Sequence, residues 1–281
     1  MQFEFTKMHG LGNDVIVLDA PGREGLPITP SQWQQLGDRR TGIGFDQAMV
    51  LEPPRSPGTD YYYRIFNADG SESEQCGNGV RCLAEALRRR GAGSNGVIQL
   101  ESLAGHMEAR LIAPGISAVD MGEPQFTPES VHFDVAGQAG PKYFIDLPQQ
   151  RVEFAIASMG NPHAVLDVAD VASAPVAAVG AALEPHPRFL RRVNVGFRQT
   201  VSRNYIRLRV FERGVGETRA CGTGACAAAA TGIRAGMLDA AVTVELPGGK
   251  LQVRWDGPGT RLWLEGPAEV SFTGRFELPT S

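Results

Sequence analysis

No apolar run in this sequence approaches the ~18 residues of a membrane span. The segment Met1–Lys7 has no long apolar core of the kind a signal peptide carries, and a soluble, cytoplasmic protein is expected. A basic surplus is missing as well. The 27 Lys and Arg residues against 31 Asp and Glu leave a net charge of −4, which gives no footprint for nucleic acid or an acidic membrane. Cysteine is scarce, at four residues. Zinc ligands come in close pairs, whereas the gaps here are five residues from Cys76 to Cys82 and four from Cys221 to Cys226, within stretches of helical character. Neither a metal site nor structural disulfides are expected, the latter because a reducing compartment disfavours them. What remains is ordinary globular material: 42% hydrophobic, 21% charged, with 34 glycines suited to a turn-rich fold. At 281 residues the chain is long enough for two domains, each with its own core.

All four cysteines lie in two stretches that copy one another, Cys76-Gly77-Asn78-Gly79-Val80-Arg81-Cys82 and Cys221-Gly222-Thr223-Gly224-Ala225-Cys226. At a constant spacing of 145 residues (221 − 76), Arg64/Arg209, Phe66/Phe211, Glu72/Glu217, Cys76/Cys221, Gly77/Gly222, Gly79/Gly224, Ala84/Ala229, Arg89/Arg234 and Gly91/Gly236 are identical. Upstream, Gly12-Asn13 matches Gly160-Asn161 at a spacing of 148, and Gly44-Phe45 with Gln47 matches Gly196-Phe197 with Gln199 at 152. The blocks keep their order, so one domain occurs twice. The expected boundaries are 1–120 plus 267–281 for the first domain and 121–266 for the second, with the tail from about 267 outside the repeat.

Strand patterning predicts extended segments at 3–7, 14–19, 47–52 and 61–67. Each half has one long helix, 78–90 ended by Gly91 and 223–235 ended by Gly236. Hairpins follow at 97–112 and 241–255, and one further helix is predicted near 173–183, stopped by the Pro-rich 185–187. Cys82 and Cys226 fall among Ala and Leu inside the helices, where cysteine behaves as a small buried apolar residue.

Cys76 and Cys221 stand instead at helix starts. Unpaired backbone N–H groups and the helix dipole concentrate partial positive charge there, which favours the thiolate and can hold a carboxylate. The glycines beside each cysteine let a ligand approach the backbone. When a proton leaves the carbon next to a carboxylate, charge moves onto the carboxylate oxygens, and the same N–H donors stabilise the enolate-like transition state. A duplicated thiol suits inversion of a tetrahedral carbon, which needs one proton-handling group for each face.

Together with Lys7-Met8-His9-Gly10-Leu11-Gly12-Asn13-Asp14, Asn67, Gly160-Asn161-Pro162-His163 and Glu212-Arg213-Gly214, the two cysteine motifs resemble the diaminopimelate epimerase family from residue 3 to about 270. The resemblance implies an α+β fold of two similar domains, each a barrel-like, mostly antiparallel sheet around a central helix, with the active site in the cleft between them. It implies interconversion of LL- and meso-diaminopimelate, a step towards lysine and peptidoglycan, with no pyridoxal phosphate and no metal, usually by a homodimer. Carried over by residue, Cys76 and Cys221 match the catalytic thiols, one base and one acid. Gly77, Asn78, Gly222 and Thr223 match the donors to the reacting carboxylate, and Asn13, Gln47, Asn67, Asn161, Asn194, Glu212 and Arg213 match substrate contacts. His163 and Glu212 match positions that tune the thiols. By themselves Asn13 and Asn161 read as turn residues, His163 as a surface or satisfied core histidine, and Glu212-Arg213 as solvated charges at a strand end. Glu72 and Glu217 have no evident role, and 168–187 carries no motif. Phe272 stands where the family often has a tyrosine associated with the dimer contact. The nearest alternative is a proline or hydroxyproline racemase-like enzyme of the same architecture.

Overall fold

The computed structural model describes residues 2–20, 22, 25–73, 76–148 and 150–278, so the end of the tail, 279–281, lies outside the described residues. The chain divides into two compact units, Met1–Asp120 with Glu265–Ser281, and Met121–Leu264.

In the first unit, β1 (Gln2–Gly10) pairs antiparallel with β2 (Asn13–Asp19), which runs parallel to β3 (Gln47–Glu52). The helix α1 (Pro30–Gly37) lies between β2 and β3 in sequence. β4 (Tyr61–Asn67) follows antiparallel to β3, and the short β5 (Glu72–Ser73) returns along it. Then comes α2 (Gly77–Arg89), and beyond it the hairpin β6 (Val97–Ser102) and β7 (Gly105–Ala113), with β6 parallel to β4. β8 (Ile116–Asp120) extends the hairpin, and α2 packs against β1, β2, β3, β7 and β8. Val80, Leu83 and Leu87 are the buried stripe of α2 that the sheet covers. Each such side chain contributes about 1.5–3 kcal/mol on burial.

The second unit repeats this order. β9 (Tyr143–Leu147) pairs with β10 (Gln150–Ser158), β10 with β11 (Pro162–Asp167), and β11 runs parallel to β12 (Asn194–Ser202), with α3 (Val176–Leu183) between them. β13 (Tyr205–Glu212) and β14 (Gly216–Thr218) lead into α4 (Gly222–Arg234) and the hairpin β15 (Ala241–Leu246) and β16 (Gly249–Arg254), with β15 parallel to β13. Ala227, Ala228, Ala229 and Ala230 are fully buried. A Cβ on Gly232 would stand 2.4 Å from Leu238, so small residues on α4 are what let the surrounding strands and loops come so close. Past β17 (Trp263–Pro267), β18 (Glu269–Glu277) adds an outer strand to β1.

The ladders show how the two copies correspond. Val15 pairs with Gln47, and Gln47 with Asn67. In the second unit His163 pairs with Asn194, and Val195, next to Asn194, pairs with Phe211, next to Glu212. Gln47 therefore corresponds to Asn194, at a spacing of 147, and Asn67 to Glu212, at 145. The match of Gly44-Phe45 to Gly196-Phe197 at 152 does not hold in three dimensions. Gly44 sits before β3 at φ +71°, whereas Gly196 is inside β12, paired with Val165 and Val210.

Each half has its one long helix, α2 and α4. The first half adds the short α1, which the sequence pattern does not predict and which takes the place that α3 has in the second. Thr29 caps α1: its hydroxyl accepts from the Gln32 N–H at 3.3 Å, while the Gln32 side chain accepts from the Thr29 N–H at 2.8 Å. Trp33 of α1 stacks on Phe66 with centroids 4.9 Å apart, directly behind Asn67. On α3, Gly180 leaves room for Phe211, whose Cγ would lie 2.5 Å from a Cβ at that position. Both helices thus brace the aromatic residue that precedes Asn67 or Glu212.

Candidate active site

Each of the two cysteine motifs delivers its thiol as the N-cap of a central helix, Cys76 for α2 and Cys221 for α4. All four cysteines are free, and Cys82 and Cys226 are fully buried inside the helices, as their apolar surroundings predict. Four residues before each thiol stands a bidentate ion pair. Arg64 Nε and a terminal guanidinium nitrogen bind the Glu72 carboxylate at 2.7 and 2.8 Å, and Arg209 binds Glu217 at 2.6 and 2.8 Å. These pairs tie β5 to β4 and β14 to β13. That is the role of Glu72 and Glu217, and it explains why both partners recur.

The second glycine of each motif makes room for the sulfur. A methyl group on Gly79 would lie 3.3 Å from Cys76 Sγ and 2.7 Å from Met49 Sδ; one on Gly224 would lie 3.2 Å from Cys221 Sγ and 3.0 Å from Val210.

In the first unit Cys76 Sγ accepts from the Gly79 N–H at 3.2 Å, a contact that an anionic sulfur strengthens. The Cys76 thiol in turn donates to Asn13 Oδ1 in a long contact of 3.9 Å. The Asn13 amide is aimed by Asp46, which accepts from Asn13 Nδ2 at 2.8 Å and from the Asp14 N–H at 3.0 Å. Arg39 bridges Asp14 and Asp46, and Lys7 reaches Asp14, so the opening Lys7…Asn13-Asp14 motif is an ion network beneath Asn13. Gln47 Nε2 donates to Asn67 Oδ1 at 3.0 Å, and Asn67 Nδ2 to Ser71 Oγ at 3.0 Å. Asn78 is buried, and its Oδ1 accepts from the fully buried Arg81 at 2.8 Å.

The second unit surrounds its thiol differently. Cys221 Sγ donates to Glu212 Oε2 at 2.9 Å, and Glu212 Oε1 accepts from the Thr218 hydroxyl at 2.5 Å. Burial, the charge of Glu212 and its hydrogen bond push the Cys221 thiol well above its usual range, against the smaller opposing pull of Thr223 and the Gly224 N–H. A helix start alone predicts the thiolate; here burial, joined by the carboxylate, wins and the resting Cys221 is a protonated thiol. Thr223 Oγ1 lies 3.7 Å from the sulfur and accepts from Asn161 Nδ2 at 3.2 Å. Asn161 Oδ1 in turn meets His163 Nε2 at 2.9 Å. Burial, then the nearby Arg213 charge, draws His163 down to about 3, so its ring is neutral and Nε2–H is the donor. Within this unit His163 thus bears on Cys221 through Asn161 and Thr223. Asn194 gives both ends of its amide to the backbone: Nδ2 donates to Pro162 O at 3.1 Å, and Oδ1 accepts from the Arg213 N–H at 2.9 Å. Arg213 is exposed, with one guanidinium nitrogen on Arg191 O at 3.1 Å.

Asn13/Asn161, Gln47/Asn194, Asn67/Glu212, Cys76/Cys221 and Asn78/Thr223 therefore occupy corresponding places in the two copies. Sequence reading misses Asp46, Thr218 and Glu184, which hold these residues in place; the capping and ion-pair partners of a site carry no motif of their own.

The fold is that of epimerase-like proteins. A hydroxyproline epimerase from Agrobacterium vitis superposes with a TM-score of 0.71 at 16% identity, over 99% of this chain and 93% of that one. Sequence narrows this further. The family described as diaminopimelate epimerase matches residues 5–127 and 155–271. Proteins named diaminopimelate epimerase from Chromobacterium violaceum and Ectopseudomonas mendocina are 51% and 50% identical over 278 residues, covering 99% of this chain and all of theirs. The chain belongs to the diaminopimelate epimerase family and is an isomerase. At 16% identity against 51%, the hydroxyproline-type alternative is not favoured.

Proposed function

We propose that this chain interconverts LL- and meso-diaminopimelate without a cofactor, with Cys76 and Cys221 as its two proton carriers. The observation that carries the reading is the contrast between the partners of corresponding thiols: Cys76 has an amide N–H at 3.2 Å and donates to the neutral Asn13 oxygen across a long 3.9 Å, while the Cys221 S–H donates to the Glu212 carboxylate at 2.9 Å. One is arranged as a base and the other as an acid, as inversion requires. The Cys76 thiolate takes the α-proton, the electron pair passes into the adjacent carboxylate, and the Cys221 S–H returns a proton to the opposite face of the carbon. In the reverse direction the roles exchange. Gly77, Asn78, Gly222 and Thr223 supply N–H donors for the reacting carboxylate at the helix starts. Arg213 receives the distal carboxylate, Glu212 an ammonium group, and Asn13, Gln47, Asn67, Asn161 and Asn194 complete the polar contacts. His163 acts through Asn161 and Thr223.

The test is incubation of metal-free protein with LL-diaminopimelate in D2O, followed by NMR and chiral analysis. The meso isomer should form with deuterium at one α-carbon, before and after dialysis against EDTA. No exchange at all, or activity lost to EDTA and restored by a metal, refutes the reading. A homodimer in the cytoplasm belongs to the same proposal and is supported by the family resemblance; sedimentation of the purified chain checks the dimer.

A further inference from the structure

The turn Glu212–Arg213–Gly214 carries two of the proposed substrate contacts, yet it is exposed at Arg213 and Gly214. A binding group on an exposed turn is only as well placed as the shell that holds it. Asn194 takes the Arg213 N–H, and the Val215 N–H closes the turn on Glu212 O at 3.2 Å. The remaining donor, the Gly214 N–H, goes to Glu184 Oε1 at 2.9 Å.

Glu184 follows α3 in the segment that shows no motif, and it is 2% exposed. Its second oxygen accepts from Arg192 at 2.6 Å, and its main-chain carbonyl accepts from the Val193 N–H at 3.1 Å. Arg192 stands in the left-handed region at φ 60°, a bend that places the carbonyl of Arg191 against the Arg213 guanidinium at 3.1 Å. One buried carboxylate therefore grips both the backbone of the turn and the loop whose carbonyl seats the Arg213 side chain.

We propose that Glu184 is the positioning residue for Arg213 and so sets affinity for the end of the substrate that bears the distal carboxylate. This rests on the substrate reading of Arg213 given above. The thiol has its own direct anchor, because Glu212 is fixed by Thr218 and Cys221, and Arg213 bears on the thiol indirectly, through the neutral His163. The signature is accordingly a change in KM with kcat kept.

Steady-state kinetics with diaminopimelate on the full chain test it, using wild type, Glu184→Gln, Arg213→Ala and the double variant. Glu184→Gln should raise KM about tenfold with kcat within about twofold. Added to Arg213→Ala it should raise KM no further, because the two act through one contact. An unchanged KM in Glu184→Gln, or the same fold-rise with and without Arg213, overturns the proposal. Should the buried glutamine prevent folding, Arg192→Gln replaces it, since that side chain is 53% exposed and loosens the same carboxylate from outside. A KM rise of a few-fold supports the proposal and an unchanged KM overturns it. A wild-type chain that does not epimerise diaminopimelate removes the substrate reading itself, and with it this role. An active wild type with an unmoved KM removes the role of Glu184 alone.

Discussion

Cys221 donates its proton to Glu212 across 2.9 Å, whereas the position that corresponds to Glu212 in the other copy is Asn67, an amide bonded to Gln47 and Ser71. Duplication has kept the two thiols and changed the company of one of them. Replacing Glu212 by Gln removes the charge and the carboxylate hydrogen bond that raise the Cys221 thiol, leaving burial as the raising influence. The thiol then ionises at lower pH. Alkylation of Cys221 by iodoacetamide, followed by peptide mass spectrometry across pH, should begin at lower pH in Glu212→Gln than in wild type. Identical profiles show that Glu212 does not hold the proton on Cys221.

His163 makes folding sensitive to acid. Its folded value of about 3 lies below the 6.5 of an ordinary histidine, so between those limits the unfolded chain binds the extra proton and stability falls as pH drops. At pH 5 the penalty is about 2 kcal/mol, from about 1.4 kcal/mol per pH unit. Urea melts at pH 7.5 and pH 5 should show that loss in wild type, and a loss smaller by about that amount in His163→Gln. Equal losses in both proteins contradict a buried neutral ring.

The thiols divide by position. Cys76→Ala and Cys221→Ala should each abolish epimerisation while staying folded, because a missing acid stops inversion as surely as a missing base. Cys82→Ala and Cys226→Ala, each fully buried, should lose about 1 kcal/mol of stability and keep turnover. Chiral analysis beside urea melts reads both effects. An active Cys221→Ala protein contradicts the assignment.

The repeated ion pairs are structural. Glu72→Gln or Glu217→Gln should lower stability by about 1 kcal/mol, since bidentate, half-buried geometry lies at the upper end for such pairs. A double-mutant cycle of Arg209 with Glu217 should give a coupling of that size in denaturant melts. Zero coupling makes the recurrence of the pair unrelated to stability.

Much of this is legible in the chain because two copies correct each other. The segments 47–52 and 61–67 are strands residue for residue, and both central helices begin one residue earlier than their pattern predicts, at Gly77 and Gly222. The helix α1 escapes a periodicity reading, since eight residues hold only Trp33 and Leu36 as large apolar side chains; the signal was Thr29-Pro30-Ser31-Gln32, a capping box with proline at the first position. Glu184 is harder still. Its side-chain partners lie eight and thirty residues away, and nothing local marks a glutamate that binds across such gaps. The false Gly44/Gly196 match came from shared letters, where only strand register decides which residues correspond.

The divergence of Asn67 from Glu212 depends on both copies residing in one polypeptide. Were the same fold assembled from identical half-length chains, any codon change would appear at both thiols together, and an acid beside one would be an acid beside the other. Here each site is written at its own address, separated by 145 residues (212 − 67), so selection or an engineer can retune one thiol while leaving the other untouched.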